Sequence, residues 1–199
     1  GSVFIAGAAI QWLRDGLGVL ARARDCETLA AQSAPEEPVL FVPGLVGLGA
    51  PHWAPDVRGV LFGLTRNTSA SDLARAALEG VALQVADLIA AADRDGGNPL
   101  KVLRVDGGMA QNAWFLQRQA DMLGIPVLPS LEKEATALGA AFLAGLQVGL
   151  WPNIEALQRL TQSTAAIHPI WSENEREQKL RQWRRAVAAT IAFYREESA

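Results

Sequence analysis

Three observations predict an α/β protein from this sequence. Short apolar runs stopped by Pro or Gly, such as Val39-Leu40-Phe41-Val42-Pro43, have the length and ending of buried strands. Longer stretches with apolar residues at helical spacing alternate with them, the clearest running from Ser69 to Ala92. The 199 residues are 50% hydrophobic and 20% charged with a net charge of −3, which suits one globular unit with a sizeable core.

The elements follow in order. Residues 5 to 23 read as a helix that buries Ile10, Leu13, Leu17 and Leu20. The polar Ser33 to Pro38 stretch separates it from the 39–43 strand. From Gly44 to Pro55, glycine and proline impose an irregular loop, and Arg58 to Leu64 reads as a second strand. Ser69 or Ser71 can cap the long helix, whose apolar face is Leu73, Ala77, Val81, Val85 and Leu88. Asp95-Gly96-Gly97-Asn98-Pro99 ends it. Lys101 to Val105 is then a strand, Ala113 to Leu123 a helix, and Pro126 to Leu128 a short strand. Thr136 to Val148 is an Ala- and Gly-rich helix, with Thr136 as cap and its small face against a sheet. Asn174 to Glu197 closes the chain as a long charged helix.

Several function classes are disfavoured. Neither the net charge nor any basic stripe suggests a nucleic-acid partner. No apolar run reaches the ~20 residues of a membrane helix, so no membrane partner is expected. Val3-Phe4-Ile5-Ala6 has no basic leader before it, so no secretory signal is read there. The lone Cys26 has no internal disulfide partner and fits a reducing, cytoplasmic setting. Only two histidines, His52 and His168, are present, and with no evident partner for either, no metal site is expected. Asp56, Glu79, Asp87 and Asp93 read as surface charges.

The segment Leu103-Arg104-Val105-Asp106-Gly107-Gly108-Met109-Ala110-Gln111-Asn112 carries the most chemical information. Paired glycines after a strand permit a tight turn and a close approach of backbone to ligand. The helix that follows offers unpaired N–H groups and a positive dipole end to an anion. Alone, Asp-Gly-Gly fits an ordinary strand-to-helix turn equally well. In the first helix, Gly7 and Gln11 stand four residues apart on one face, where a flat group could approach the backbone. A close helix contact with a solvated Gln is the competing reading. The Gly44 to Trp53 loop has no Lys followed by Ser or Thr, so it is not a Walker-type phosphate loop.

These segments, in this order, resemble the C-terminal domain of the FGGY carbohydrate kinases. The resemblance rests on Gly1-Ser2-Val3-Phe4, Ala6-Gly7-Ala8-Ala9-Ile10-Gln11-Trp12-Leu13-Arg14-Asp15 and Gly47-Leu48-Gly49-Ala50-Pro51-His52-Trp53. Arg58-Gly59-Val60-Leu61-Phe62-Gly63-Leu64-Thr65-Arg66, Asp72-Leu73 and Ala76-Ala77-Leu78-Glu79 are similar to the second signature of the family. Arg104 to Gly108 with Asn112, and Thr136-Ala137-Leu138-Gly139-Ala140-Ala141, complete it. Because Gly1-Ser2 fits the same pattern, it is read as native sequence. The departures are His52 in place of a usual Tyr, and Gln111 and Ala113 around Asn112.

The resemblance implies an actin-like ATPase, ribonuclease-H-like fold, with residues 1 to 199 as the C-terminal nucleotide-binding domain of a two-domain kinase. It implies ATP and Mg²⁺ as cofactors, and transfer of the γ-phosphoryl group to a polyol. The Gln11 to Asp15 run is similar to members that act on glycerol rather than sugars, giving sn-glycerol 3-phosphate and ADP. Another polyol or ketose is the alternative, as is a non-catalytic actin-like binding module. Gly7 and Gln11 match nucleotide-contacting positions, and Gly108 and Asn112 match positions that hold adenine, ribose and the α-phosphate region. Asp106 and Gly107 shape that turn. The family's catalytic aspartate, polyol-binding residues and Thr-Gly phosphate loop match nothing here and are expected before Gly1. Glycerol is thus expected to bind through an N-terminal domain, and this chain alone to be inactive. Apolar Val3, Phe4 and Ile5 at the terminus predict an uncovered face and self-association as a homo-oligomer.

Overall fold

Helix α3, Ala70–Gly96, is the spine against which most of the chain packs. The computed structural model describes residues 3–34, 38–132, 134–158, 160 and 164–195. Gly1-Ser2 and part of the 33–38 stretch therefore lie outside the described residues. Ser69 caps α3 reciprocally: its hydroxyl accepts from the Asp72 N–H, and Asp72 accepts from the Ser69 N–H. The helix runs to Gly97, whose left-handed φ of 68° ends it, so it is longer than its apolar pattern predicts.

The first helix is shorter than expected. Helix α1 spans Gly7–Gln11, widens into a π turn over Trp12–Gly16, and stops. Ile10, Leu13 and Leu20 are buried as expected, but Leu17 is exposed because the chain has already left the helix. A second helix that periodicity did not reveal, α2, follows at Asp25–Gln32 and packs on α3 with Cys26 and Ala30 buried.

Strands β1 (Leu40–Val42) and β2 (Val60–Phe62) form an antiparallel pair, with Phe41 opposite Leu61. Gly80 of α3 lies against the Phe41 carbonyl, where any Cβ would collide with it. Trp12 stacks on Phe41 at 5.4 Å, so β1 is clamped between the first helix and α3. Strands β3 (Leu103–Val105) and β4 (Val127–Pro129) pair in parallel, joined by helix α4 at Ala113–Leu123. This is a βαβ crossover. Alternation of strands and helices is thus as predicted, in two small sheets.

Two expectations about the polar residues fail. Glu79 is not a surface charge: it is 1% exposed, salt-bridged to Arg75 at 2.9 Å and to Lys179 of helix α7, Glu173–Arg195. Nor is Asp87. Its Oδ2 accepts the Trp183 indole N–H at 2.6 Å and lies 2.9 Å from His52 Nε2, so His52 has a partner after all. Asp93 is half-buried and accepts from the Leu100 N–H, while Asp56 is exposed as expected.

Helix α5, Ala135–Gln147, differs from its forecast as well. Thr136 does not cap it: Glu134 occupies that position and makes no side-chain cap bond. The helix also lies largely open instead of against a sheet, with Gly145 its one buried residue. Helix α6, Ile154–Gln158, follows it. Among the described residues, no helix is long and apolar enough to cross a membrane.

Candidate functional site

The turn after β3 and the two N-terminal helices face one another across a cleft of about 590 Å³. Gly7 and Gln11 of the first helix and Gly108 and Asn112 of the turn all line it. All four residues singled out from the sequence are therefore brought together, from segments about a hundred positions apart. Asp106 borders the same space.

Each is positioned for a local reason. Gly107 holds a φ of 85°, a left-handed value that suits glycine, and throws the chain into a 3₁₀ turn over Gly108–Gln111. Asn112 closes that turn and starts α4, its Oδ1 accepting the Phe115 N–H at 2.8 Å. With Oδ1 committed to the cap, the amide Nδ2 is the group Asn112 can offer a ligand. That makes it a donor toward the cleft.

Gly7 opens α1, a half-buried backbone beside the exposed Gln11 side chain. A Cβ built on Gly7 or on Gly108 meets nothing within 4 Å. Neither glycine is demanded by packing, so the open space beside each belongs to the cleft.

Residues of the unanticipated α2 region complete the third side. Arg24, Cys26 and Glu27 line the cleft. The Cys26 thiol reaches the Ala74 carbonyl at 3.7 Å, and burial pushes its pKa up to about 12, so it serves as lining rather than as a nucleophile. Glu27 Oε1 accepts the N–H groups of Ala113 at 2.9 Å and Trp114 at 3.3 Å. This corrects the expectation that α4 offers unpaired N–H groups to an anion: Glu27 and Asn112 have already taken its first three. Asp25 and Glu27 in an acidic first turn were the available signal for this helix.

The pattern of the FGGY family of carbohydrate kinases, C-terminal domain, matches residues 1–148. A glycerol kinase of Aromatoleum aromaticum is 54% identical over 187 residues, 94% of this chain and 38% of that protein. One from Bordetella parapertussis is 50% identical over 195 residues, 98% of this chain and again 38% of the relative. The chain therefore spans well under half the length of these curated relatives. Among solved structures, a Plasmodium falciparum glycerol kinase with ADP superposes with a TM-score of 0.86 at 35% identity, over 96% of this chain and 38% of that one. A xylulose kinase from Rhodospirillum rubrum shares the fold at a TM-score of 0.81 and 24% identity, over 98% of this chain and 40% of that one. The architecture is that of the actin-like, ribonuclease-H-like ATPase fold. With the family pattern covering most of its length, this chain belongs to the FGGY family of carbohydrate kinases, as their C-terminal domain.

Proposed function

We propose that the chain is the nucleotide-binding domain of a glycerol kinase, and that the cleft between α1 and the Gly108 turn holds the nucleoside end of ATP. The observation that carries this is the convergence of Gly7, Gln11, Gly108 and Asn112 on one cleft. The relatives named glycerol kinase support the substrate, and the Plasmodium falciparum structure with ADP supports the nucleotide. In this reading the whole protein moves the γ-phosphoryl group of ATP to a terminal hydroxyl of glycerol, giving sn-glycerol 3-phosphate and ADP.

The residues of this chain bind and orient; they do not move the proton. Gly7 and Gly108 let the flat nucleoside approach backbone, and Gln11 and the Asn112 amide supply directional hydrogen bonds. Among the described residues, no three His, Cys, Asp or Glu side chains converge as a metal cage. Mg²⁺ would come with the phosphates, which suits its preference for phosphate and water oxygens. The group that accepts the glycerol proton comes from the remainder of the protein, which in this reading packs against the open face of α5.

Gly108→Val in the full-length protein tests the assignment. Because a Cβ at Gly108 meets no protein atom within 4 Å, the variant should fold normally. The KM for ATP should rise about tenfold or more, equivalent to ~1.4 kcal/mol of lost binding, with the KM for glycerol little changed. A folded variant with a normal KM for ATP would sink the assignment.

A further inference from the structure

The N-terminus of a helix after a glycine turn is where an anion would ordinarily bind, through unpaired N–H groups and the positive dipole end. Here that place is taken. Helix α4 is long enough for such a site, yet its first two amides, Ala113 and Trp114, both donate to Glu27 Oε1. The third, Phe115, donates to Asn112. Glu27 reaches across from another helix to do this, 86 positions away in sequence, while also lining the cleft. A neutral cap would have satisfied the same amides. A carboxylate in addition sets a negative charge at the end of the cleft where Asn112 stands.

We propose that Glu27 is a specificity-determining and positioning residue that fixes the direction in which the nucleotide lies. Its charge closes the α4 end of the cleft to phosphate and leaves it to the uncharged base and ribose, which Asn112 can meet with its amide donor. The phosphates then run away from α4. This rests on the nucleotide reading above, which already sets the nucleoside end at Gly108 and Asn112, and gives Glu27 a part in holding that orientation.

The discriminating comparison is between Glu27→Gln, which keeps a capping acceptor and loses the charge, and Glu27→Ala, which loses both. The full chain is titrated with adenosine, ADP and inorganic phosphate, and the Ala113 and Trp114 amides are followed by ¹⁵N NMR. In the native chain phosphate should leave both amides unmoved. In Glu27→Ala it should shift them, as the vacated helix end becomes an anion site. In Glu27→Gln the ratio of ADP to adenosine affinity should rise about two- to fivefold, the size expected for one charge acting over several ångströms near solvent. A purely structural cap would weaken both ligands together in Glu27→Ala and be rescued in full by Glu27→Gln, with no change in the ratio. That outcome overturns the proposal. If Glu27→Ala does not fold, the ratio in Glu27→Gln decides alone. If adenosine and ADP both fail to bind the native chain, the nucleotide reading falls; the phosphate response of Ala113 and Trp114 in Glu27→Ala still decides whether Glu27 blocks an anion.

Discussion

Helices α3 and α5 invert the usual relation between composition and burial. Helix α3 carries Asp72, Arg75, Glu79 and Asp87 along its length, yet it holds more buried residues than any other described element. Helix α5 contains no charged residue at all, yet Leu143 on it is 71% exposed, and Val148 just beyond it 80%. The acids of α3 are tolerated inside because each has partners: Glu79 has Arg75 and Lys179, Asp72 has Ser33 and Ser69, Asp87 has Trp183 and His52, whereas the buried Gln84 Nε2 on the same helix has none among the described residues. Helix α5 lacks a covering partner of comparable extent; Phe142 meets Trp151 edge-on at 5.3 Å, and Leu150 and Ile154 extend the apolar surface beyond it. Burial follows from the partners available, and for α5 they are not among the described residues. An apolar face of this kind marks an interaction surface.

The strongest way to break the comparison is to remove the charge from α3. Burial pushes the Glu79 carboxyl up, but Lys179 and Arg75 together hold it below its ordinary value. Glu79→Gln leaves two cations facing a neutral amide and should cost about 3–5 kcal/mol in urea unfolding at neutral pH. The sign of the pH effect follows. A depressed folded value contributes stability above the unfolded carboxyl value, and that stability is lost as pH falls through the folded value. The variant should therefore show a flatter loss of stability in acid. A cost below about 1 kcal/mol, with an unchanged acid limb, would mean that the triad contributes little.

On α5 the same kind of change should act on association and leave folding alone. We expect the isolated chain to self-associate through this face, and Leu143→Asp with Leu150→Asp to weaken that association about tenfold or more, ~1.4 kcal/mol. Sedimentation velocity across a concentration series reads it. The same pair should change unfolding stability by no more than about 0.5 kcal/mol, as exposed substitutions do. An unchanged oligomer distribution would put the contact elsewhere, and a large loss of stability would make α5 a core helix.

The smallest effect concerns the margin of α3. His52→Ala leaves Asp87 with Trp183 as its remaining partner and should cost about 0.5–1.5 kcal/mol, the scale of one hydrogen bond. Should thermal unfolding detect no loss, the His52–Asp87 contact does nothing to hold the 44–55 loop, which then rests on its backbone and the buried Leu48 and Ala54.

What could be read from the chain divides along the same line. Helix α4 has its predicted bounds, Ala113–Leu123, because its punctuation is local: Asn112 caps it and Gly124 ends it with a φ of 69°. The cleft residues were picked out by the family resemblance, since read locally Gly7 and Gln11 fit a plain helix contact and Asp106-Gly107-Gly108 an ordinary turn; the structure brings the four to one cleft. Partnerships were not legible. His52 and Asp87 are 35 positions apart and Trp183 and Asp87 are 96 apart, and nothing in the neighbouring residues announces either contact. Helix α2 escaped because eight residues with Cys26, Leu29 and Ala30 as their apolar positions make too short a pattern to register. Missing α2 meant missing Glu27, and with it the occupied end of α4. The Val3 to Ile5 terminus was read as the uncovered face; Ile5 is in fact in the core, although Phe4 is 44% exposed. The greater open apolar surface is on and beyond α5, whose small residues read equally well as a buried face.

Gly7 and Gly108 fill no space in the fold. An alanine at Gly7 would favour its helix by up to about 1 kcal/mol and touch no other residue. A search for hardier variants that scored only resistance to heat would therefore accept such a change early. The product would be a tougher domain with a methyl group standing in its cleft. With the nucleotide seated in that cleft as proposed, selection on folding and selection on use pull in opposite directions at this one carbon.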